Sequence, residues 1–199
     1  MHRRRHRDRT PSKIQNSYPY FPCQLSGVIR ERKKAGQFFN EGELWYLLWA
    51  LSSAKNALPA NRMGEIKPEN VFVNEQGHFK VANVYSWPNQ QPAYINAFYH
   101  RGGPFTEILS PEDLADMKKP VYDNFKNQKS EVFAIGATVL CAGVLDNMVD
   151  VYDIRNRHFN EAAMFNKKRT WASNPNYSDD LKAVVLNLVR TNPQERISA

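Results

Sequence analysis

The sequence predicts a mainly α-helical domain with one or two short β-hairpins. Apolar residues recur at helical spacing in two separate segments: Leu44, Leu47, Leu48, Leu51 and Ala54 in the first, and Leu181, Val184, Val185 and Leu188 in the second. Between them lies an apolar stretch from Val132 to Leu145. Its fourteen residues are too few for a membrane span, so it favours a buried helix.

Local signals place the ends of the predicted helices. Asn40-Glu41-Gly42-Glu43 resembles a capping box at the start of the first long helix, and Pro59 ends that helix. A shorter amphipathic helix is predicted before it from Leu25, Val28 and Ile29, with Arg30, Arg32, Lys33 and Lys34 on its solvent side. Ser178 is the expected N-cap of the last helix.

A hairpin is predicted from two short alternating runs, Val71–Val73 and Phe79–Val81. The intervening Asn74-Glu75-Gln76-Gly77 contains the turn, and Gly77 can adopt a positive φ there. Further along the chain, Lys167, Lys168 and Arg169 form a basic cluster, which is typical of a solvated face.

Composition and charge divide the chain into a tail and a body. The 199 residues are 42% hydrophobic, enough for one domain with a sizeable core. The net charge is +7, and +5 of it falls on residues 1–13, which carry Arg3, Arg4, Arg5, Arg7, Arg9, Lys13 and Asp8. We therefore expect a basic tail over residues 1–17 and a folded body over residues 18–199. One interpretation of such a run is a solvated, disordered terminus. In the other the tail contacts a partner, and because arginine selects phosphate and carboxylate surfaces, an acidic protein such as tubulin is the first candidate and an RNA backbone the second.

Several classes of site are not expected. Cys23 and Cys141 are far apart in sequence and the five histidines are dispersed, so neither a disulfide nor a zinc site is predicted. No apolar run follows the Arg-rich start, so no secretory signal is predicted. No glycine-rich phosphate loop occurs either. We therefore expect no cofactor, no metal and no small-molecule substrate.

One segment resembles the catalytic loop of protein kinases. Met63-Gly64-Glu65-Ile66-Lys67-Pro68-Glu69-Asn70 is similar to the His-Gly-Asp-Ile-Lys-Pro-Glu-Asn form of that loop, with Met63 and Glu65 in place of the His and the Asp. Three later segments resemble kinase motifs in the same order: Ile108-Leu109-Ser110-Pro111-Glu112, Lys129 to Gly136, and Asn192-Pro193-Gln194-Glu195-Arg196. The resemblance spans about residues 18–199.

The resemblance implies a specific fold. It implies the mainly helical large lobe of a protein kinase, with the β-rich small lobe absent. It also implies a structural ion pair between Glu112, in the position of the Glu of Ala-Pro-Glu, and Arg196.

The resemblance also implies that the catalytic positions are degenerate. Glu65 replaces the catalytic Asp and sets its carboxylate one methylene further out, and a displacement of about 1 Å can cost about 10²-fold in rate. Asn83 stands where the magnesium-binding Asp is expected, and an amide lacks the negative charge that holds the metal. Lys67 and Asn70 are retained, and a role in stabilising the loop is the favoured interpretation for both.

The leading hypothesis is therefore a catalytically inactive, truncated pseudokinase that acts as a structural subunit of a larger assembly. The expected location is the cytoplasm, with a cilium or another microtubule array as the first candidate. The expected partner-binding residues are the tail arginines and the aromatic loop at residues 86–107, which contains Trp87, Tyr94, Phe98 and Tyr99.

Two alternatives stay open. In the first, the chain is a divergent ATP-dependent kinase with Glu65 as base, Lys67 on the phosphate, and Asn70 with Asn83 around magnesium. Another chain would then supply the small lobe. In the second, the chain is a ribonucleoprotein component that binds RNA through its Arg-rich tail.

Overall fold

Six α-helices and two small antiparallel sheets make up the part of the chain described by a computed structural model, which covers residues 20–57, 66–81, 108–116, 128–153 and 156–197. The helices are α1 Leu25–Ala35, α2 Glu41–Ala57, α3 Pro111–Asp116, α4 Gln128–Val144, α5 Glu161–Ala172 and α6 Asp179–Leu188. The strands are β1 Cys23–Gln24, β2 Val71–Val73, β3 Phe79–Val81, β4 Tyr152–Asp153 and β5 His158–Phe159. The predicted mainly α fold with short hairpins is confirmed.

Helix α4 forms the centre of the core. Nearly all side chains of residues 132–145 are buried, and α2, α5 and α6 pack around them. Leu44, Leu47 and Leu51 of α2 are fully buried, and each contributes about 1.5–3 kcal/mol by leaving water. Within the described ranges, no helix has both the length and the apolar character needed to cross a bilayer.

The start of α2 is fixed by the predicted capping box. The Asn40 side chain accepts a hydrogen bond from the Glu43 backbone N–H at 2.9 Å, and Glu43 Oε2 accepts one from the Asn40 N–H at 2.7 Å. Arg32 of α1 binds the same Glu43 carboxylate through two nitrogens at 2.6 and 2.9 Å. This contact holds the pKa of Glu43 below its ordinary value and ties α1 to α2.

The predicted hairpin is confirmed, with one additional strand. Val71 pairs with Val81 and Val73 with Phe79, and Gly77 in the turn has a φ of +80°. Strand β1 adds to the free edge of β2, so the sheet has three strands. Because β1 is only two residues long, it has no alternation by which the sequence could predict it.

The interpretation of the Lys167–Arg169 cluster as a solvated face is wrong for Lys167. Its side chain is 6% exposed, and its ammonium group contacts Asp146 at 2.7 Å and Asp150 at 2.9 Å. Lys33 of α1 binds the other oxygen of Asp146 at 2.9 Å. The network joins α1 and α5 to the loop that follows α4. The carboxylates of Asp146 and Asp150 compensate the charge of the buried ammonium group.

Helices α4 and α5 approach closely at Gly143. A Cβ atom at this position would overlap ring atoms of Trp171, whose side chain is fully buried and stacks on Tyr177 with centroids 4.8 Å apart. We therefore expect Gly143→Ala to lower the free energy of unfolding by about 1–3 kcal/mol or more, through overpacking. Urea denaturation measures this change.

Gly27 of α1 provides the matched control. A Cβ atom there would meet no heavy atom within 4 Å. Gly27→Ala should leave stability unchanged or raise it by up to about 1 kcal/mol, because alanine favours the helix. Equal effects of the two substitutions would contradict the close packing at Gly143.

Candidate functional site

Two of the four degenerate catalytic positions lie within the described residues. Lys67 is buried, and its carbonyl accepts a hydrogen bond from the Asn70 backbone N–H at 2.9 Å. This bond closes a 3₁₀ turn over Pro68–Asn70 that leads directly into β2. Lys67 and Asn70 are thus part of a tight turn at the edge of the core, whereas Glu65 and Asn83 lie outside the described residues.

The expected partner-binding residues also lie outside the described residues. These are the tail arginines Arg3, Arg4, Arg5, Arg7 and Arg9 and the loop aromatics Trp87, Tyr94, Phe98 and Tyr99.

The structure brings Glu112 and Arg196 into direct contact. Arg196 NH2 donates to Glu112 Oε2 at 2.7 Å, and NH1 donates to Oε1 of the same carboxylate. The Arg196 side chain has no exposed surface, and the Glu112 side chain is 21% exposed. The pair is bidentate, which is the strongest geometry for a guanidinium and a carboxylate.

Backbone carbonyls accept the remaining hydrogen bonds of the Arg196 guanidinium. Its Nε donates to the carbonyl of Arg190 at 2.6 Å, NH1 to that of Lys129 at 2.8 Å, and NH2 to that of Thr191 at 3.0 Å. The guanidinium also lies 5.0 Å from the centroid of the Phe133 ring. With the two bonds to Glu112, all five N–H donors are used, so burial leaves no unsatisfied group on this side chain.

A second polar cluster lies beside this pair. Ser130 Oγ is 2.9 Å from Asp113 Oδ1 and 3.0 Å from Ser110 Oγ, and both serines are buried. Ser110 Oγ also accepts a hydrogen bond from the Asp113 backbone N–H at 3.2 Å. Burial raises the pKa of Asp113 to about 6, and the charge of Glu112 acts in the same direction. This cluster could not be predicted from a local pattern, because Ser130 is seventeen residues away from Asp113 along the chain.

A cavity of about 440 Å³ lies between α1, the 3₁₀ turn at Pro68–Asn70 and the end of α4. Glu69 lines it, and its Oε2 atom is buried without a hydrogen-bond donor among the described residues. Burial raises the pKa of Glu69 above its ordinary value. Glu69 was expected only as part of the loop segment at residues 63–70, because no local pattern in the sequence shows which elements enclose a residue.

The described side chains offer limited chemistry of their own. Cys141 lines the same cavity, but burial raises the pKa of its thiol to about 12, so it is not a nucleophilic thiolate near neutral pH. Across the described ranges, no three His, Cys, Asp or Glu side chains form a group that could hold a metal ion.

The raised pKa of Asp113 predicts a pH-dependent cost to stability. The pKa is about 6 in the folded state and near 3.8 in the unfolded chain, so the cost is absent below about pH 4 and complete above about pH 6. We expect Asp113→Asn to raise the free energy of unfolding relative to the native chain by about 1–3 kcal/mol at pH 7. At pH 4 the two chains should be nearly equal. Urea titrations across this range measure the difference, and a constant difference at every pH would contradict the assignment.

No protein-family model matches the chain. The relationship to protein kinases is therefore a proposal. It depends on the four sequence segments at residues 63–70, 108–112, 129–136 and 192–196 and on the contacts that their residues make.

Proposed function

We propose that this chain is a pseudokinase built on the large lobe of the protein kinase fold, and that it acts as a structural subunit of a larger assembly. Its role in that assembly is to present docking surfaces, and it does not transfer phosphate.

The observation that carries the proposal is the Glu112–Arg196 pair. The two residues are 84 positions apart in sequence and belong to two separate motifs. Their bidentate contact has the partners that a kinase large lobe would require. Because every donor of Arg196 binds this carboxylate or a backbone carbonyl, its function is to hold segments of the chain together.

The order of elements also supports the proposal. The turn at Pro68–Asn70 is followed at once by the hairpin of β2 and β3, which is the element expected after a kinase catalytic loop. The segment that resembles the start of the central large-lobe helix, residues 129–136, lies at the start of α4, and α4 is the buried helix at the centre of this fold.

The substitutions at the catalytic positions support the absence of phosphate transfer. Asn83 is neutral where a magnesium-binding carboxylate is expected, and Glu65 is longer than the Asp that it replaces. Two such changes in one site compound each other, because positioning and electrostatic stabilisation supply most of the catalysis in phosphoryl transfer.

The surface supports a role in protein contacts. Trp49 is 62% exposed on α2 and stacks on Tyr46 with centroids 5.7 Å apart, and Phe165 on α5 is 63% exposed. Exposed aromatic rings are enriched where proteins bind one another. The basic tail adds attraction to an acidic surface, and tubulin in a cilium or another microtubule array is the proposed example.

Two measurements test the proposal. Full-length tagged chain is expressed in its native cells, and the recovered partners are compared among Asn83→Ala, replacement of the five tail arginines by serine, and their replacement by lysine. We expect Asn83→Ala to recover the same assembly, the serine variant to lose most of it, and the lysine variant to retain an intermediate amount because it keeps the charge. Incubation with radiolabelled ATP and magnesium should give equal background signals for the native chain and Glu65→Gln.

Loss of assembly in Asn83→Ala with full recovery in the serine variant would contradict the structural role. Labelling by the native chain well above that of Glu65→Gln would contradict the absence of catalysis and favour a kinase. A tail-dependent assembly that ribonuclease dissolves would instead favour the ribonucleoprotein alternative.

A further inference from the structure

One face of α2 carries exposed aromatic rings and no charged side chain. The helical repeat brings six residues together on this face: Trp45, Tyr46, Trp49, Ser52, Ser53 and Asn56. Trp49 is 62% exposed and Trp45 is 37% exposed. The solvent side of a helix is normally charged or polar, whereas the core of a protein interface is rich in aromatic rings and poor in charge. This face therefore has the composition of an interface.

The β2–β3 hairpin extends the aromatic surface beyond the helix. The Tyr46 ring stacks on the Trp49 ring, with centroids 5.7 Å apart and ring planes 18° apart. The same ring lies 5.6 Å from that of Phe79 on β3 and 6.4 Å from that of His78, the residue before β3. We name these four rings, together with Trp45, the α2 aromatic surface. Because two elements build it, a partner can bind across both of them.

Two hydrogen-bond donors of this surface are available to a partner. The Tyr46 hydroxyl and the Trp49 indole N–H make no hydrogen bond within the described part of the chain, and the hydroxyl is not buried. The Trp45 indole N–H differs, because it donates to Glu41 Oε1 at 3.1 Å. Glu41 is the one carboxylate at the border of the surface, and both of its oxygens also bind Ser178. A partner is therefore expected to bring acceptors and apolar groups rather than charge.

The backbone of the partner decides which class of protein segment fits. In an α-helix the carbonyls are bonded within the helix, so a helical partner, including α2 of a second copy, offers few free acceptors. A polyproline II segment has no internal hydrogen bonds and leaves its carbonyls free. Proline also lacks an N–H group, so such a segment supplies acceptors without donors. Aromatic-lined surfaces bind such segments, which are already extended before they bind.

The absence of charge on this face of α2 narrows the choice further. A charged side chain placed against the rings would lose hydration, and no opposite charge on the helix face would compensate it. An uncharged segment avoids this cost.

We propose that the α2 aromatic surface binds an uncharged, proline-rich segment of a partner protein in the polyproline II conformation. Proline rings pack on Trp49 and Tyr46, and backbone carbonyls accept from the donors of these two side chains. The inference rests on the proposed function, because it names the partner class for one docking surface. It can fail separately, since purified chain and a synthetic peptide test it without the basic tail being changed.

Two uncharged peptides of equal length test the proposal: decaproline, and a peptide in which glycine and serine alternate. Fluorescence polarisation of each labelled peptide against the full chain gives its Kd. We expect decaproline to bind with a Kd below about 1 mM and at least about tenfold more tightly than the glycine–serine peptide. The flexible peptide has the same free carbonyls, but it lacks apolar rings and must be ordered on binding.

Four variants separate the contributions of the rings and the donors. Trp49→Ala should weaken decaproline binding about tenfold or more, because it removes the exposed ring. Trp49→Phe and Tyr46→Phe keep a ring but lose the donor, so each should weaken binding about two- to tenfold. These two variants also cover the case in which Trp49→Ala does not fold. Phe165→Ala is the matched control, because it removes an equally exposed ring on α5 and should leave the Kd unchanged.

Several results would overturn the proposal. These are equal binding of the two peptides, no binding of decaproline, and a decaproline Kd that Trp49→Ala changes no more than Phe165→Ala does. A monomer–dimer equilibrium of the native chain in sedimentation, abolished by Trp49→Ala, would overturn it in favour of a second copy as the occupant. None of these results touches the recovery of a tail-dependent assembly, which tests the proposed function by itself.

Discussion

The described structure depends on one buried ion pair, Glu112 with Arg196. The Arg196 guanidinium donates hydrogen bonds to the backbone carbonyls of residues 190 and 191 and of Lys129 at the start of α4. Its carboxylate partner, Glu112, lies on α3. A buried charge is tolerated only when it is paired and fully hydrogen bonded. The five donors of Arg196 meet this condition only when residues 190–191, the start of α4 and α3 are all in place. The ion pair therefore couples the positions of these three segments to one another.

Other charged side chains also join distant segments of the chain, each with fewer hydrogen bonds than Arg196. Glu41 at the start of α2 accepts hydrogen bonds from the backbone and hydroxyl of Ser178 at 2.7 and 2.5 Å, so one carboxylate joins the N-termini of α2 and α6. Lys167 joins α5 to the loop after α4 through two aspartates. Each of these contacts joins elements that pack on α4. Together they fix the relative positions of the helices, because apolar contacts in the core are non-directional and do not do so alone.

The sequence predicted the features that are encoded locally. The capping box at Asn40 and Glu43, the Gly77 turn and the Ser178 cap each involve residues within about four positions of one another, so a short pattern contains the whole interaction. The buried helix α4 was predictable from its largely apolar run. The Glu112–Arg196 contact was expected only because two motifs resemble those of protein kinases, since spacing alone could not have paired them.

Interactions between distant segments could not be predicted in this way. The burial of Lys167 requires Asp146, which lies 21 residues before it. The raised pKa of Asp113 requires the packing of α3 on α4, and the cavity at Glu69 requires three elements to meet. No single segment carries these features, so a serine, a glutamate or a lysine in the sequence gives no sign of its surroundings.

A double-mutant cycle on Glu112 and Arg196 tests the central claim most directly. Arg196→Met should lower the free energy of unfolding by about 3–5 kcal/mol, because it leaves the Glu112 carboxylate without its partner. Glu112→Gln combined with Arg196→Met should cost less than the sum of the two single changes, with a coupling of about 1–3 kcal/mol. The exposed pair of Arg190 and Glu195, 3.0 Å apart, is the matched control and should couple by less than about 1 kcal/mol. Additive effects at Glu112 and Arg196, no larger than those of the control pair, would contradict the account.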